Sequence, residues 1–70
     1  MKRIVRVFNF GKFFLDDFRR MARLNNGKEI ANGNGPWRDG LSFQFSSQAD
    51  FDGMMENLIN FRENFDLHRE

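Results

Sequence analysis

The sequence predicts a two-layer α+β domain of βαββα order, in which a small antiparallel sheet carries two helices on one face. One segment is rich in β-branched and aromatic residues, another alternates apolar and polar residues like a strand, and two longer segments repeat apolar residues at helical spacing. A chain of 70 residues buries only about 60% of the surface that its unfolded form exposes, so dense packing is needed. The ten Phe are expected to supply it from buried positions, within a single domain spanning residues 1–70.

The first half of the chain predicts a strand, a helix and a second short strand. Residues 2–10 are rich in β-branched and aromatic side chains, which favour a strand. Over residues 12–25 the apolar residues change to helical spacing, and Asn25, Asn26 and Gly27 then supply a left-handed helix end. Residues 28–32 form a weaker strand candidate.

The second half predicts a loop, a strand and a second helix. Residues 32–40 combine glycines and asparagines with the single Pro, a composition typical of loops. Residues 41–46 alternate strictly, which predicts a strand with one dry and one wet face. Ser47, with Asp50 three residues later, begins a helix in the manner of a capping box, and helical spacing continues to Phe65.

The first strand is expected at an edge of the sheet. Both of its sides are partly apolar, whereas a strand that is wet on one face alternates more cleanly. The strand is therefore either covered on both sides or involved in self-association. We expect a homodimer in which two copies pair through residues 2–10.

The order strand, helix, strand, strand, helix resembles that of the RNA-recognition-motif family. Residues 39–45, Asp-Gly-Leu-Ser-Phe-Gln-Phe, resemble the third strand of that family, which carries a basic residue, a glycine and stacking aromatics. The resemblance continues through residues 46–58, the passage from strand to helix. It implies a sheet whose exposed aromatic rings stack on RNA bases.

Several departures separate this sequence from that family. Leu41 replaces the first stacking aromatic, Asp39 replaces the basic residue, and no segment after the second helix is expected to form a fourth strand. The positions that would meet the helices in that family are polar here: Ser42, Gln44 and Ser46. The apolar side chains must therefore face the helices, where they are not available to bases: Leu41, Phe43 and Phe45. The sequence is not assigned to the family.

Residues suited to catalysis or metal binding are few. The chain has no Cys, and His68 lies in a terminal segment of the kind that commonly frays. Asp16 and Asp17 point to different sides of one helix. Asp50 and Asp52, the other close acid pair, lie in the first turns of the second helix, where carboxylates stabilise the helix dipole. We expect no enzymatic activity, no metal site and no cofactor.

Charge is divided unevenly along the chain. Residues 1–40 carry nine bases and four acids, a net +5, whereas residues 41–70 carry two bases and six acids, a net −4. One interpretation is that the two halves pack together and neutralise each other. An acidic second helix that imitates a nucleic acid is another. A third is a surface that binds nucleic-acid phosphates, formed by Lys2, Arg3, Arg6, Lys12, Arg19, Arg20 and Arg23.

The loop supplies the clearest candidate binding residues. Trp37, Arg38 and Asp39 place an aromatic ring beside two charges, a composition typical of protein interfaces. The alternative is that Trp37 folds back and caps the core.

The sequence predicts a small non-enzymatic module that binds another protein and regulates or inhibits it, with nucleic-acid binding as the alternative. Its size is similar to that of accessory proteins of phages and mobile elements. No stretch reaches the roughly 20 apolar residues of a membrane span, and no signal-peptide cleavage pattern is present. A cytoplasmic location is therefore expected.

Overall fold

The structure is a computed structural model that describes residues 2–70; Met1, the first residue of the domain expected over 1–70, lies outside the described residues. The elements in chain order are β1 (Ile4–Phe8), a 3₁₀ turn (Lys12–Phe14), α1 (Leu15–Leu24), β2 (Lys28–Ile30), β3 (Leu41–Gln44), α2 (Gln48–Ile59) and β4 (Asp66–Arg69). The four strands form one antiparallel sheet in the order β2-β3-β1-β4. The predicted α+β class and antiparallel sheet are confirmed.

β4 corrects the predicted element order. The order is βαββαβ, the split βαβ arrangement of ferredoxin-like folds. The second helix was expected to reach Phe65 but ends at Ile59, and the Phe61 N–H then donates to the Leu58 carbonyl at 3.1 Å as the chain turns back. All four residues of β4 are exposed, so this strand has no buried face to impose an apolar pattern on its sequence.

β1 is an interior strand, which contradicts its expected position at the edge. Val5 pairs with Phe43 of β3 on one side and with Arg69 of β4 on the other. Because both backbone edges of β1 are hydrogen-bonded within the sheet, a second copy has no free edge to pair with there. The expected homodimer through residues 2–10 therefore loses its structural basis, and the apolar residues on both sides of β1 belong to a strand covered on both faces.

The core joins one face of the sheet to residues of both helices. The strand register places Val5 beside Phe43 and Val7 beside Leu41, so these side chains share a face. The core cluster consists of Val5, Val7, Phe18, Ala22, Leu41, Phe43, Phe45, Phe51, Met54 and Leu58. The alternating apolar residues of β3 belong to it, as expected, whereas the placement of both helices in one layer stays a prediction.

A cluster of five phenylalanine rings closes one end of this core. The Phe18 ring is at its centre, with centroid distances of 4.6 Å to Phe10, 5.0 Å to Phe61 and 5.4 Å to Phe65. Phe14 completes the cluster by packing edge-on against Phe61 at 5.5 Å. The cluster holds the segment between α2 and β4 against the core, and so brings β4 into reach of β1.

The predicted start of α2 and end of α1 are confirmed in their main features. The Ser47 hydroxyl accepts a hydrogen bond from the Asp50 N–H at 3.1 Å, which caps the start of α2. At the end of α1, Asn26 takes the left-handed conformation with φ of 58°, and the Gly27 N–H donates to the Ala22 carbonyl at 2.7 Å. The left-handed residue is thus the asparagine rather than the glycine.

The two helices meet where Asn25 passes Gly53. The Asn25 amide donates to the Met21 carbonyl and to Asn57 Oδ1, both at 2.8 Å. A Cβ atom on Gly53 would collide with Asn25 Oδ1. The absence of a side chain at Gly53 therefore makes room for the side-chain amide of Asn25.

Phe13 contradicts the expectation that every Phe is buried, because 94% of its surface is exposed. This exposure provides a matched control for the core. We predict that Phe18→Ala lowers the free energy of unfolding by about 3–5 kcal/mol, or removes the cooperative transition, because it leaves a cavity at the centre of the ring cluster. Phe13→Ala should change it by no more than about 0.5 kcal/mol.

Urea denaturation at low protein concentration measures both variants without a contribution from association. Equal losses from the two substitutions would contradict the central role assigned to Phe18.

Candidate functional site

The sheet face opposite the core is covered by the loop of residues 31–40, here called the Trp37 loop. Side chains alternate along a strand, so Arg6 points away from the face that carries Val5 and Val7. The register places Ser42 of β3 and His68 of β4 directly beside Arg6 on this outer face. The loop therefore lies over three strands of the sheet.

Trp37 holds the loop against the outer face. Its ring stacks on His68 with centroids 4.6 Å apart and planes inclined by 22°, and it meets the edge of Phe8 at 6.3 Å. The Arg6 guanidinium lies 5.2 Å from the ring centroid, and the indole N–H donates to the Asn32 carbonyl at 2.8 Å. Trp37 does fold back, as one interpretation of the sequence had it, but onto the outer face instead of the core.

Asn32 closes the base of the loop. Its side-chain amide donates to the carbonyls of Arg38 at 3.0 Å and Gly40 at 2.7 Å. Its Oδ1 accepts from the Ser42 hydroxyl at 2.5 Å. Sequence reasoning did not single out Asn32; the available signal was an asparagine at the start of a glycine-rich loop, where such side chains bond to nearby backbone.

Ser42 contradicts the expectation of a wet face on β3, because only 1% of it is exposed. Its hydroxyl donates to Asn32 and accepts from Arg6 Nη1 at 2.9 Å. Arg6 Nη1 also donates to the Asn32 carbonyl at 3.2 Å. A serine hydroxyl that is buried and fully bonded in this way has a structural role and is not placed as a nucleophile.

Glu70 balances the charge at the open side of this network. Its carboxylate accepts from Arg6 Nε at 3.0 Å, and Lys2 Nζ and His68 Nε2 lie 3.8 and 3.9 Å away. The hydrogen bond from Arg6 lowers the pKa of Glu70, and the nearby positive charges lower it further against the opposing effect of burial. His68, expected in a frayed end, is therefore held in β4 between an indole ring and a carboxylate.

The three predicted binding residues fall within one pair of tight turns. The Arg38 N–H donates to the Gly35 carbonyl at 3.0 Å, and the Gly40 N–H donates to the Trp37 carbonyl at 2.8 Å. Trp37 is half-buried against the sheet, whereas Arg38 and Asp39 are exposed. The loop thus presents a guanidinium and a carboxylate on a backbone closed by hydrogen bonds.

The seven bases predicted to bind phosphates differ in their surroundings. Lys2 and Arg6 both pair with Glu70, and Arg19 makes a bidentate contact with Glu29 at 2.9 and 3.3 Å that raises the pKa of the guanidinium. Arg3 is half-buried, with Nη1 3.4 Å from the Ser46 carbonyl. The bases left exposed, without a carboxylate within 4 Å among the described residues, are Lys12, Arg20 and Arg23.

Two concave features of the surface lie away from the Trp37 loop. The larger is a shallow pocket of about 300 Å³ lined by Asn26, Lys28, Gln44, Phe45 and Ser46. Its one charged residue is Lys28, so the pocket lacks a paired acid and base. Among residues 2–70, no group of three His, Asp or Glu side chains is arranged to hold a metal ion, and neither helix is long and apolar enough to cross a bilayer.

No protein-family model, curated protein sequence or solved structure matches this chain. The fourth strand removes one of the departures from the RNA-recognition motif, but Leu41 and Asp39 remain. The side chains that point outward from β1 and β3 near Trp37, Arg6 and Ser42, are enclosed by the loop rather than available to bases.

We predict that Asn32→Ala frees the Trp37 loop. Loss of the Asn32 side-chain amide leaves the Gly40 carbonyl and the buried Ser42 hydroxyl without this hydrogen-bond partner. The free energy of unfolding should therefore fall by about 1–3 kcal/mol. Limited trypsin digestion should cleave after Arg38 roughly tenfold faster relative to cleavage after Arg62, because proteolysis follows local opening. Asn34→Ala, at an exposed position of the same loop, is the matched control. Equal cleavage ratios in the two variants would contradict the role of Asn32.

We also predict that Glu70 makes stability depend on pH. Because its pKa is lowered by folding, its contribution is present above the ordinary value of 4.5 and is lost as the pH falls through the lowered pKa. The difference in unfolding free energy between the wild type and Glu70→Gln should therefore shrink as the solution is acidified. Denaturation across a pH series measures it, with Glu63→Gln, an exposed carboxylate, as control. A difference that stayed constant would contradict the assignment.

Proposed function

We propose that this protein is a small non-enzymatic module that binds another protein and regulates or inhibits it. The observation that carries the proposal is the closed geometry of the Trp37 loop, which presents Arg38 and Asp39 on its exposed side. Loops positioned by a rigid scaffold often carry binding residues. The proposed setting is the cytoplasm, consistent with a chain that has no Cys.

The fixed shape of the loop favours binding. Association costs free energy when flexible segments become ordered, and a loop already held in one conformation avoids much of that cost. Here Asn32 holds both the Arg38 and Gly40 carbonyls, and Trp37 is seated on His68. The loop therefore requires little further ordering to meet a partner.

The charges on the loop favour a protein over a nucleic acid as partner. Arg38 and Asp39 offer both signs side by side, which suits a protein surface with a complementary pair. A phosphate backbone would be repelled by Asp39. Three of the seven bases proposed to contact phosphates, Lys2, Arg6 and Arg19, already pair with carboxylates.

Affinity capture from the native host, followed by calorimetry with the purified partner, tests this proposal. We predict that the double variant Arg38→Ala, Asp39→Ala binds the captured protein at least about tenfold more weakly. The matched control is the double variant Arg62→Ala, Glu63→Ala. It removes a base and an acid that are adjacent to each other in a different exposed segment, and this variant should bind the captured protein normally.

Two outcomes would contradict the proposal. One is equal binding by the two double variants, which would place the interface elsewhere. The other is capture of nucleic acid instead of protein, with binding that falls steeply as salt rises and disappears on neutralising Arg19, Arg20 and Arg23; that result would favour the alternative function.

A further inference from the structure

The outward sides of the helices carry the most exposed large apolar residues of the described chain. Phe13 is 94% exposed, Ile59 77% and Leu24 74%. Single exposed apolar side chains are ordinary on a protein surface, so these three matter through the exposed charges that accompany them on the same helical segments. These three residues all belong to helical segments.

The first helical segment carries a basic stripe, defined as Lys12, Phe13, Arg20, Arg23 and Leu24. Arg23 and Leu24 lie three and four residues after Arg20 and share one side of α1 with it, while Lys12 and Phe13 belong to the 3₁₀ turn that precedes it. Asp16, four residues before Arg20, is exposed on the same side, which keeps a net positive charge. Every member of the stripe is exposed. None of its three bases has a carboxylate within 4 Å among residues 2–70.

α2 carries an acidic stripe, defined as Asp52, Glu56 and Ile59. Its members are separated by four and three residues and therefore share one side of the helix. All three are exposed, and neither carboxylate has a basic group within 4 Å in the described part of the chain. The acidic stripe thus combines an apolar residue with charge, as the basic stripe does, but with the opposite sign.

The two helices run antiparallel, and with both in the single layer that the sequence predicts, the stripes lie side by side. Near the end of α1, Asn26 donates to Asp50 at the start of α2 at 3.3 Å. At the other end, Phe14 packs against Phe61, which follows α2. A two-fold axis parallel to the helices therefore places each basic stripe over the acidic stripe of a second copy.

We propose that a second copy of this chain occupies this surface, in a two-fold dimer that packs α1 of each copy on α2 of the other. The contact is isologous, so each charge pair and apolar contact is made twice. Arg20 and Arg23 of one copy face Asp52 and Glu56 of the second, and the exposed apolar residues are covered. This interface is distinct from the strand pairing that the interior position of β1 prevents.

The size of the surface sets the expected strength of the dimer. A standard interface takes about 800 Å² from each partner, which is about a sixth of the 4826 Å² accessible surface of this chain. The helices span only about 15 and 18 Å at 1.5 Å per residue. We therefore expect a weak dimer that dissociates on dilution and as salt rises.

The dimer would leave the proposed binding loops free. The Trp37 loop lies on the sheet face opposite the core, whereas the stripes lie on the helices. Two loops would then be displayed by one assembly, which increases binding to a partner that offers two sites. Dimerisation is measured without that partner, so it is tested separately from the proposed function.

The experiment is sedimentation equilibrium from about 1 μM to about 1 mM protein at low salt, a range that detects weak dimers. One variant reverses the basic stripe (Arg20→Glu, Arg23→Glu) and another reverses the acidic stripe (Asp52→Lys, Glu56→Lys). We predict that the wild type dimerises, that each variant alone is monomeric, and that an equimolar mixture of the two forms a heterodimer. Both stripe pairs are complementary again only in that mixture.

Controls separate association from folding. Arg62→Glu with Glu63→Lys reverses charges outside both stripes and should dimerise like the wild type. Phe13→Ser should weaken the dimer at least about tenfold while circular dichroism stays unchanged. A wild type that is monomeric at the highest concentration overturns the proposal. So does a dimer that neither stripe reversal disrupts, or a mixture of two folded variants that stays monomeric.

Discussion

The rest of the structure depends on β1, which is hydrogen-bonded along both edges and covered on both faces. Val5 and Val7 enter the core from one face, while Arg6 and Phe8 form the floor beneath the Trp37 loop on the other. Pairing with β3 and β4 connects the middle of the chain to its last described residues. In a domain of this size, one strand thus organises the core, the charged network and the loop.

The elements that have a buried side were predicted from the sequence. α1 and β3 were found because Phe18, Leu41 and Phe43 must reach the core, which imposes helical or alternating spacing. β4 lacks such a requirement: it is exposed throughout and forms because β1 offers an unpaired edge and the rings around Phe18 hold the preceding segment in place. Because β4 was not predicted, β1 was expected to pair with β3 alone and was therefore placed at the edge of the sheet.

The candidate site was predicted in part, for a related reason. The proximity of Trp37, Arg38 and Asp39 is local and follows from the turn composition of the loop. The direction of Trp37 and the burial of Ser42 depend on contacts with distant strands, which no local pattern encodes. The carboxylates that pair with some of the predicted phosphate-binding residues also come from other elements. Fewer of those bases are therefore free to bind phosphate than the sequence predicted.

The loop that presents the proposed binding residues also covers one face of the sheet, and this double role limits how a partner can use it. Lifting Trp37 from His68 would open the network in which Asn32 satisfies Ser42 and Arg6. Buried polar groups left without partners cost about 1–3 kcal/mol each, a large fraction of the stability of a small domain. Binding is therefore favoured when Trp37 stays seated and contact is made through the exposed side of the turn. Under this proposal, the requirements of folding select which residues of the loop are available to a partner.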